Sequence, residues 1–318
     1  MDSQTLERIA KKLGLGEGYS FESIYDFNPV YRFNHDGRTY VLKQTRAAGR
    51  EVEALNRWCH HLRSKGISIV TPSENFSPNP FEDSESSLVV YPFFEGVQYN
   101  SSSRQLFEAG ALLGKMHRES PRKNPLNPFT FPDERDEQSF QEDFQNLIKI
   151  YPGELNAQTK ECLQVQFSRF EELCNELEKL DQRGKLPRVN GTWDYKANNL
   201  VFRDKAAPVL IDPDSAGHLP RVFDLALAAL LFHNEVLGIL FPLSETQWQE
   251  FYRGYSKHVE LSRLEKEFFP KCLEFMAMEE AFWLLATDEQ GWQQNTQGAF
   301  LEGLLGLFLK LDQIYLIP

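Results

Sequence analysis

The stretch NGTWDYKANNLVF, residues 190–202, followed by VLIDPDSAG at 209–217, decides how this chain is read. Asp194 stands five residues before Asn199, and Asp212 ends a short apolar run. Leu200 to Arg203 and Pro208 to Ile211 read as two short strands with a loop before and after. A carboxylate, an amide and a second carboxylate flanking a tight hairpin can converge on one point. Oxygen ligands from Asn and Asp suit Mg2+, which takes a few protein oxygens and completes its shell with phosphate oxygens. Asn199 and Asp212 fit that part, which leaves Asp194 to accept a proton from a hydroxyl. Singly, each residue is an ordinary turn former; set together between two strands, they make a candidate site.

Around this island the pattern is helical. Leu106, Ala109, Leu112, Leu113 and Met116 form one apolar face, and further helices are expected over 138–150, 157–182, 221–239, 245–257, 262–288 and 296–313. A loop with Pro121, Pro125, Pro128 and Pro132 separates the first of these from the rest. The first hundred residues read differently. A short amphipathic helix (Leu6, Ile9, Leu13) precedes strand-like runs at 19–26, 30–34 and 39–43, with His35-Asp36-Gly37 as a hairpin turn. A helix bearing Val52, Leu55, Trp58, Cys59 and Leu62 stops at Gly66, and 87–93 returns as a strand. The expectation is an α+β chain of two lobes: a small β-rich one over 1–96 and a larger, mostly helical one over 97–318 that carries the candidate site.

Composition narrows the function. The 318 residues hold 34 basic and 46 acidic side chains, a formal net charge of −12, which argues against a broad nucleic-acid surface. The amino terminus has no apolar stretch of the signal-peptide kind, and no run approaches the roughly 18 residues that span a bilayer, so no membrane partner and a cytoplasmic location are expected. Cys59, Cys162, Cys174 and Cys272 lie far apart with no CxxC pair, which speaks against zinc and against a disulfide framework.

The island resembles the aminoglycoside phosphotransferase and choline kinase family, relatives of the protein kinases. That family carries H-x-D-x-x-x-x-N, then strand, turn, strand and an Ile-Asp turn. The resemblance implies a two-lobed protein-kinase-like fold with Asp194 as catalytic base and Asn199 and Asp212 as magnesium ligands. It extends outward: 27–43 is similar to the nucleotide-covering hairpin ending in a phosphate-binding lysine, Lys43. VVYPFFEG (89–96) is similar to the hinge, LFEAGALLGKMH (106–117) to the helix after it, and FDLA (223–226) to the helix that supports the catalytic loop. By the same resemblance the Pro92 carbonyl and the Phe94 N–H read the nucleotide base. Proline can play the first part but not the second. Lys43 is expected to pair with a carboxylate at the start of the next helix, Glu51, with Glu53 as the fallback. Lys196, two residues after the base, is placed to neutralise charge on the moving phosphoryl group.

Two departures stand out. Thr192 replaces the histidine expected two residues before the base, and Trp193 fills a position that is usually small. Asp214 adds a third carboxylate, read as a turn cap or as a ligand through water. The implied activity is ATP- or GTP-dependent, Mg2+-dependent phosphorylation of a small-molecule hydroxyl. The acidic and aromatic stretch MEEAFWLLATDEQGW (278–292) would suit an aminoglycoside, an amino sugar or another cationic alcohol. A hexosamine, choline or homoserine kinase stays open, as does a nucleotide-binding pseudokinase serving as a regulatory module. A peptide-binding activation segment has little room between Ala216 and Phe223. His60, His61, His117, His218, His233 and His258 show no ligand spacing and are given no role.

Overall fold

The computed structural model of the chain describes all residues except 26–28, 46–49, 84, 85, 122, 124, 125, 132–136, 204, 205, 233–242, 309–316 and 318. A period of two builds the first lobe. Strands β1 (Glu22–Tyr25), β2 (Val30–His35), β3 (Arg38–Thr45), β4 (Phe81–Asp83) and β5 (Ser86–Pro92) form one antiparallel sheet in the order β1-β2-β3-β5-β4. At the expected turn Asp36 and Gly37 take φ of 48° and 71°, the left-handed pair that a two-residue hairpin favours. Tyr31, Phe33, Tyr40, Leu42, Leu88 and Val90 share one face and pack with Phe76, Phe81 and Ile9 of α1 (Ser3–Lys12). Arg8 and Lys12 of α1 both reach Asp83, each at 2.6 Å, and tie the helix to β4. The hydrogen bonds from Arg8, helped by Lys12, draw the Asp83 carboxyl down to a pKa of about 2.

The other face of the sheet looks into the cleft. Val41 pairs with Tyr91 and Lys43 with Val89 across β3 and β5, so strand alternation puts Lys43 on the face opposite the lobe's core. Val89 and Tyr91 pack with Val70 and Val209, and Phe94 and Ile211 lie against them. Val209 and the Ile211 turn belong to the second lobe, so the apolar lining of the cleft is shared between lobes.

That lobe is helical around helix α7, whose residues 222–230 are all buried. Its elements are α3 (Ser103–Arg118), α4 (Glu137–Ile150), α5 (Ala157–Ser168), α6 (Phe170–Gln182), α7 (Arg221–Leu231), α8 (Glu245–Tyr255), α9 (Arg263–Met276), α10 (Phe282–Thr287), α11 (Glu289–Trp292) and α12 (Asn295–Phe308). Helix α2 (Arg50–Ser64) follows the sheet strand β3 in the chain but buries Leu55, Trp58, Cys59 and Leu62 in this lobe's core. Two small hairpin-like sheets carry the site: β6 (Arg188–Gly191) with β9 (Gly217–Pro220), and β7 (Leu200–Arg203) with β8 (Ala206–Leu210). The chain leaving β5 is sewn to β7, Val97 and Phe202 exchanging backbone hydrogen bonds at 2.8 and 3.0 Å.

The α+β, two-lobed architecture is as expected, with local corrections. The helix expected over 157–182 breaks at Arg169, whose N–H turns back to the Gln166 carbonyl at 3.2 Å and restarts the helix on a new face. The one expected over 262–288 contains a π-helical turn, Ala277–Ala281, and stops where Asp288 caps α11. Strands β4, β6 and β9 were not expected; at three or four residues they are too short to show a period. The expected continuations beyond 232 and 308 lie outside the described residues, as does His233, apart from Ile317 packed on the core. Among the described residues no helix is long and apolar enough to cross a membrane.

Helices α3 and α8 meet through glycines. A Cβ on Gly110 would lie 1.9 Å from the Phe251 carbonyl oxygen, and one on Gly254 would lie 2.0 Å from that of Phe107. Backbones this close leave no room for a methyl group. Gly110→Ala is therefore expected to cost about 1–3 kcal/mol, measured as a lowered urea midpoint.

Candidate active site

The site is built on one buried carboxylate. Asp224 opens α7 and is fully buried, and its oxygens take four donors. Oδ1 accepts from the Thr192 hydroxyl (3.0 Å) and the Trp193 N–H (2.9 Å); Oδ2 accepts from the Thr192 N–H (2.9 Å) and His117 Nε2 (2.9 Å). Burial alone would raise its pKa, but the His117 bond and charge and the Thr192 donors outweigh it and hold it below the usual carboxylate range. His117 Nδ1 is in turn hydrogen-bonded to the Tyr255 hydroxyl at 3.0 Å. Gly191 lets the strand pass: a Cβ there would sit 2.5 Å from Asp224 Oδ2. The loop from 192 to 194 is thus bolted to α7.

Thr192 therefore fills the brace position left by the missing histidine, through its hydroxyl. His117, given no role from sequence, and Tyr255 complete the network. The signal for it was a charged residue inside VFDLALAALL, since an ion buried among apolar residues has to be satisfied.

Past Trp193, which takes a left-handed φ of 57°, the chain delivers Asp194. Its Oδ2 receives Lys196 Nζ at 3.0 Å and Asn199 Nδ2 at 3.1 Å. Asn199 Nδ2 also donates to the Asp194 carbonyl at 2.9 Å, so Oδ1 is the end of that amide turned away from Asp194. Ile211 N–H donates to the Asn199 carbonyl at 2.9 Å and locks the strand before Asp212 beside it. Burial raises the Asp194 pKa, Lys196 works against that rise, and the nearby Asp212 charge adds to it. For Lys196 burial lowers the pKa and the Asp194 charge more than compensates.

Across the cleft, Lys43 Nζ bonds Asp212 Oδ1 and lies 3.0 Å from Asp214 Oδ2. Burial lowers its pKa, but the two carboxylates prevail and keep it above the ordinary lysine range. Here the expected partner needs correcting. Glu51 is exposed and accepts from Asn127 Nδ2 at 2.6 Å, while Glu53 lies 3.5 Å from Arg57, one turn along on the same helix. Neither holds Lys43; Asp212 and Asp214 do. The reason is register: Lys43 faces the hairpin of the second lobe, and the start of α2 is turned to the loop at 127. Asp214 is likewise not a turn cap. It is Asp212 Oδ1 that accepts the Asp214 N–H, at 3.4 Å, and the Asp214 carboxylate goes to Lys43.

Pro92 and Phe94 sit at the end of β5. Phe93 N–H donates to the Thr39 carbonyl at 3.0 Å, which makes Tyr40–Pro92 a non-hydrogen-bonded pair and turns the Pro92 carbonyl away from β3. Phe94 lies against the shared apolar lining. The oxygen donors fit magnesium. Asn199 presents its amide oxygen away from Asp194, Asp212 is beside it, and the largely buried Asp214 carboxylate lies next to Asp212 on the same turn. Among the described residues no three His, Cys, Asp or Glu gather tightly enough to hold a metal unaided, and an ion that arrives with phosphate oxygens needs no such cage.

Residues 26–258 match the family model of the phosphotransferase enzyme family. The chain belongs to that family. The expected kinship with aminoglycoside phosphotransferases and choline kinases is borne out, and the family is one of small-molecule phosphotransferases. A comparison with curated proteins finds no match. The fold is similar to that of an amicoumacin kinase solved with AMP-PNP, Ca2+ and amicoumacin, at 18% identity over 99% of this chain and 95% of that one, TM-score 0.65. It is also similar to a microcompartment-associated aminopropanol kinase (15% identity, 98% and 97% covered, TM-score 0.66). A choline kinase from Streptococcus pneumoniae is a third relative in fold (17% identity, 96% and 99% covered, TM-score 0.57).

Because all four acceptor positions on Asp224 are used, removing one donor leaves a buried anion short. Thr192→Val, nearly isosteric, is expected to lower stability by about 1–3 kcal/mol in chemical denaturation. Turnover should fall with it, because Asp194 lies two residues away.

Proposed function

We propose that this chain transfers the γ-phosphoryl group of ATP or GTP to a hydroxyl of a small molecule. The observation that carries the reading is the convergence of Asp194, Lys196 and Asn199 with Lys43, Asp212 and Asp214 on the cleft between the lobes. The lobe over 1–96 binds the nucleotide, the Pro92 carbonyl and Phe94 N–H meeting the base and Lys43 the phosphates. Glu51, turned to Asn127, ties the start of α2 to the second lobe rather than holding the lysine. Asn199 and Asp212 would hold Mg2+, which when bound neutralises phosphate charge. Asp194 accepts the proton of the attacking hydroxyl, within hydrogen-bond reach of the acceptor oxygen. Lys196, paired to Asp194, offers a cation to the phosphoryl group in transit. Phosphoryl transfer asks mostly for positioning and charge compensation, and this set supplies both.

The acceptor is an amine-bearing alcohol. Aminopropanol and choline, named for two neighbours in fold, are cationic alcohols, and Glu279, in the acidic and aromatic stretch after α9, supports the same class here. A pseudokinase reading leaned on Thr192 and Trp193. Since Thr192 makes the bracing bond to Asp224, that reading loses its main support.

Asp194→Ala is expected to abolish ADP release with a panel of aminoglycosides, amino sugars and amino alcohols while nucleotide affinity stays near wild type. Full activity in that variant would remove the assignment. The pH profile gives a second check. Because burial raises the Asp194 pKa, the acid limb of kcat should lie above the ordinary carboxylate range, with activity present above it and lost as pH falls through it. Lys196 lowers that pKa, so Lys196→Ala should move the limb to higher pH. A limb that stays in place would separate Lys196 from the base.

A further inference from the structure

Trp193 is the residue immediately before the base, and three independent restraints fix it. Its backbone N–H is bound by Asp224, its indole N–H donates to Glu280 Oε1 at 2.9 Å, and its ring stacks on Phe129 with centroids 5.0 Å apart. Phe129 is itself immobilised. Its N–H donates to the His218 carbonyl at 2.9 Å, its carbonyl accepts from Arg188 Nη2 at 3.0 Å, and its ring meets Phe131, Phe223 and Phe275 edge-on. Glu280 comes from the π-helical turn Ala277–Ala281, a local insertion of the kind that re-aims side chains at functional sites. The indole remains partly exposed, as does the Asp194 carboxylate beside it.

A hydroxyl that gives its proton to Asp194 has to come within about 3 Å of that carboxylate. Lys196, Asn199 and Asp212 occupy the side of Asp194 toward Lys43. The Trp193 indole makes none of those contacts and instead bonds Glu280, on the π-helical turn after α9. Whatever carries the hydroxyl must therefore lie along the indole. A small residue here would leave open space; a clamped indole leaves a rigid wall.

Resting on the phosphotransfer reading above, we infer that Trp193, clamped by Glu280 and Phe129, is the acceptor-side wall of the site and limits the acceptor to a compact open-chain or single-ring alcohol. Glu280 is a positioning residue that acts through the indole N–H. Size is the natural currency of such a wall, since a single methylene in a snug pocket changes discrimination by about 10–200-fold.

The test uses the full chain with ethanolamine, 1-amino-2-propanol, glucosamine and kanamycin as graded acceptors, reading kcat and KM for acceptor and nucleotide separately. Wild type should turn over the small acceptors and not kanamycin. Trp193→Gly should raise kcat/KM for kanamycin relative to the small acceptors by about tenfold or more with the nucleotide KM unchanged. Should the glycine variant fail to fold, Trp193→Phe keeps the stack and loses the donor. It and Glu280→Ala should raise the KM for the small acceptors, and Glu280→Gln, which still accepts from the indole, should restore it. Equal use of kanamycin by wild type, or an acceptor profile that none of these changes alters, overturns the inference while leaving phosphotransfer intact. Absence of ADP release with every acceptor, identical in wild type and Asp194→Ala, sinks the phosphotransfer reading and this inference with it.

Discussion

One buried charge organises the catalytic side of this molecule. Asp224 lies where an unpaired carboxylate would be destabilising by several kcal/mol, and it is tolerated because four donors converge on its two oxygens. Three of those donors belong to Thr192 and Trp193, so the condition for burying the charge is also the condition that fixes the loop before Asp194. His117 brings α3 into the same network and Tyr255 brings α8. The glycine-mediated contact of α3 with α8 then has a purpose beyond packing, because it sets the distance at which His117 and Tyr255 can share a proton. Helix packing, capping of an ion and loop geometry are one constraint.

Facing that scaffold is a problem of like charges. Asp194, Asp212 and Asp214 crowd one cleft, and the rise in pKa at Asp194 and Asp214 follows first from burial and then from Asp212. Lys43 and Lys196 divide the compensation, one on each side. The arrangement is suited to a polyanion that arrives with its own divalent ion. Such a ligand competes for the lysines and relieves the carboxylates at once, whereas a neutral ligand could do neither.

Much of this was legible in the sequence because it depends on local spacing. Asp194, Asn199 and Asp212 flank a hairpin whose strands have a clear period, and Lys43 falls on the cleft face by simple alternation from Tyr40 and Leu42. What was not legible depends on where separate elements meet. Glu51 looked like the partner of Lys43 because it opens the following helix, but helix-start position says nothing about which way the helix is rotated against a distant loop. The true partners, Asp212 and Asp214, are about 170 residues away. His117 gave no motif because it satisfies a carboxylate rather than a metal. Strands β4, β6 and β9 were missed for a plainer reason: three or four residues carry no period, and they exist because the neighbouring chain needs its edge paired.

The left-handed turn at Trp193 joins these levels. A bulky residue in that conformation is destabilising by about 1–3 kcal/mol unless its surroundings over-determine it. Here the backbone N–H is taken by Asp224 and the indole by Glu280 and Phe129, so the strain is offset by contacts at both ends of the residue. Relaxing the turn would swing the Asp194 carboxylate away from Lys196 and Asn199, since only one peptide separates Asp194 from the strained residue. A small side chain would need no such clamp and would give no such wall. The substitution that departs from the family's pattern therefore couples two things, the aim of the Asp194 carboxylate and the shape of the space in front of it. Glu280 bears on both, although helices α7, α8 and α9 lie between it and Trp193 in the chain, because it holds the indole of the residue next to Asp194.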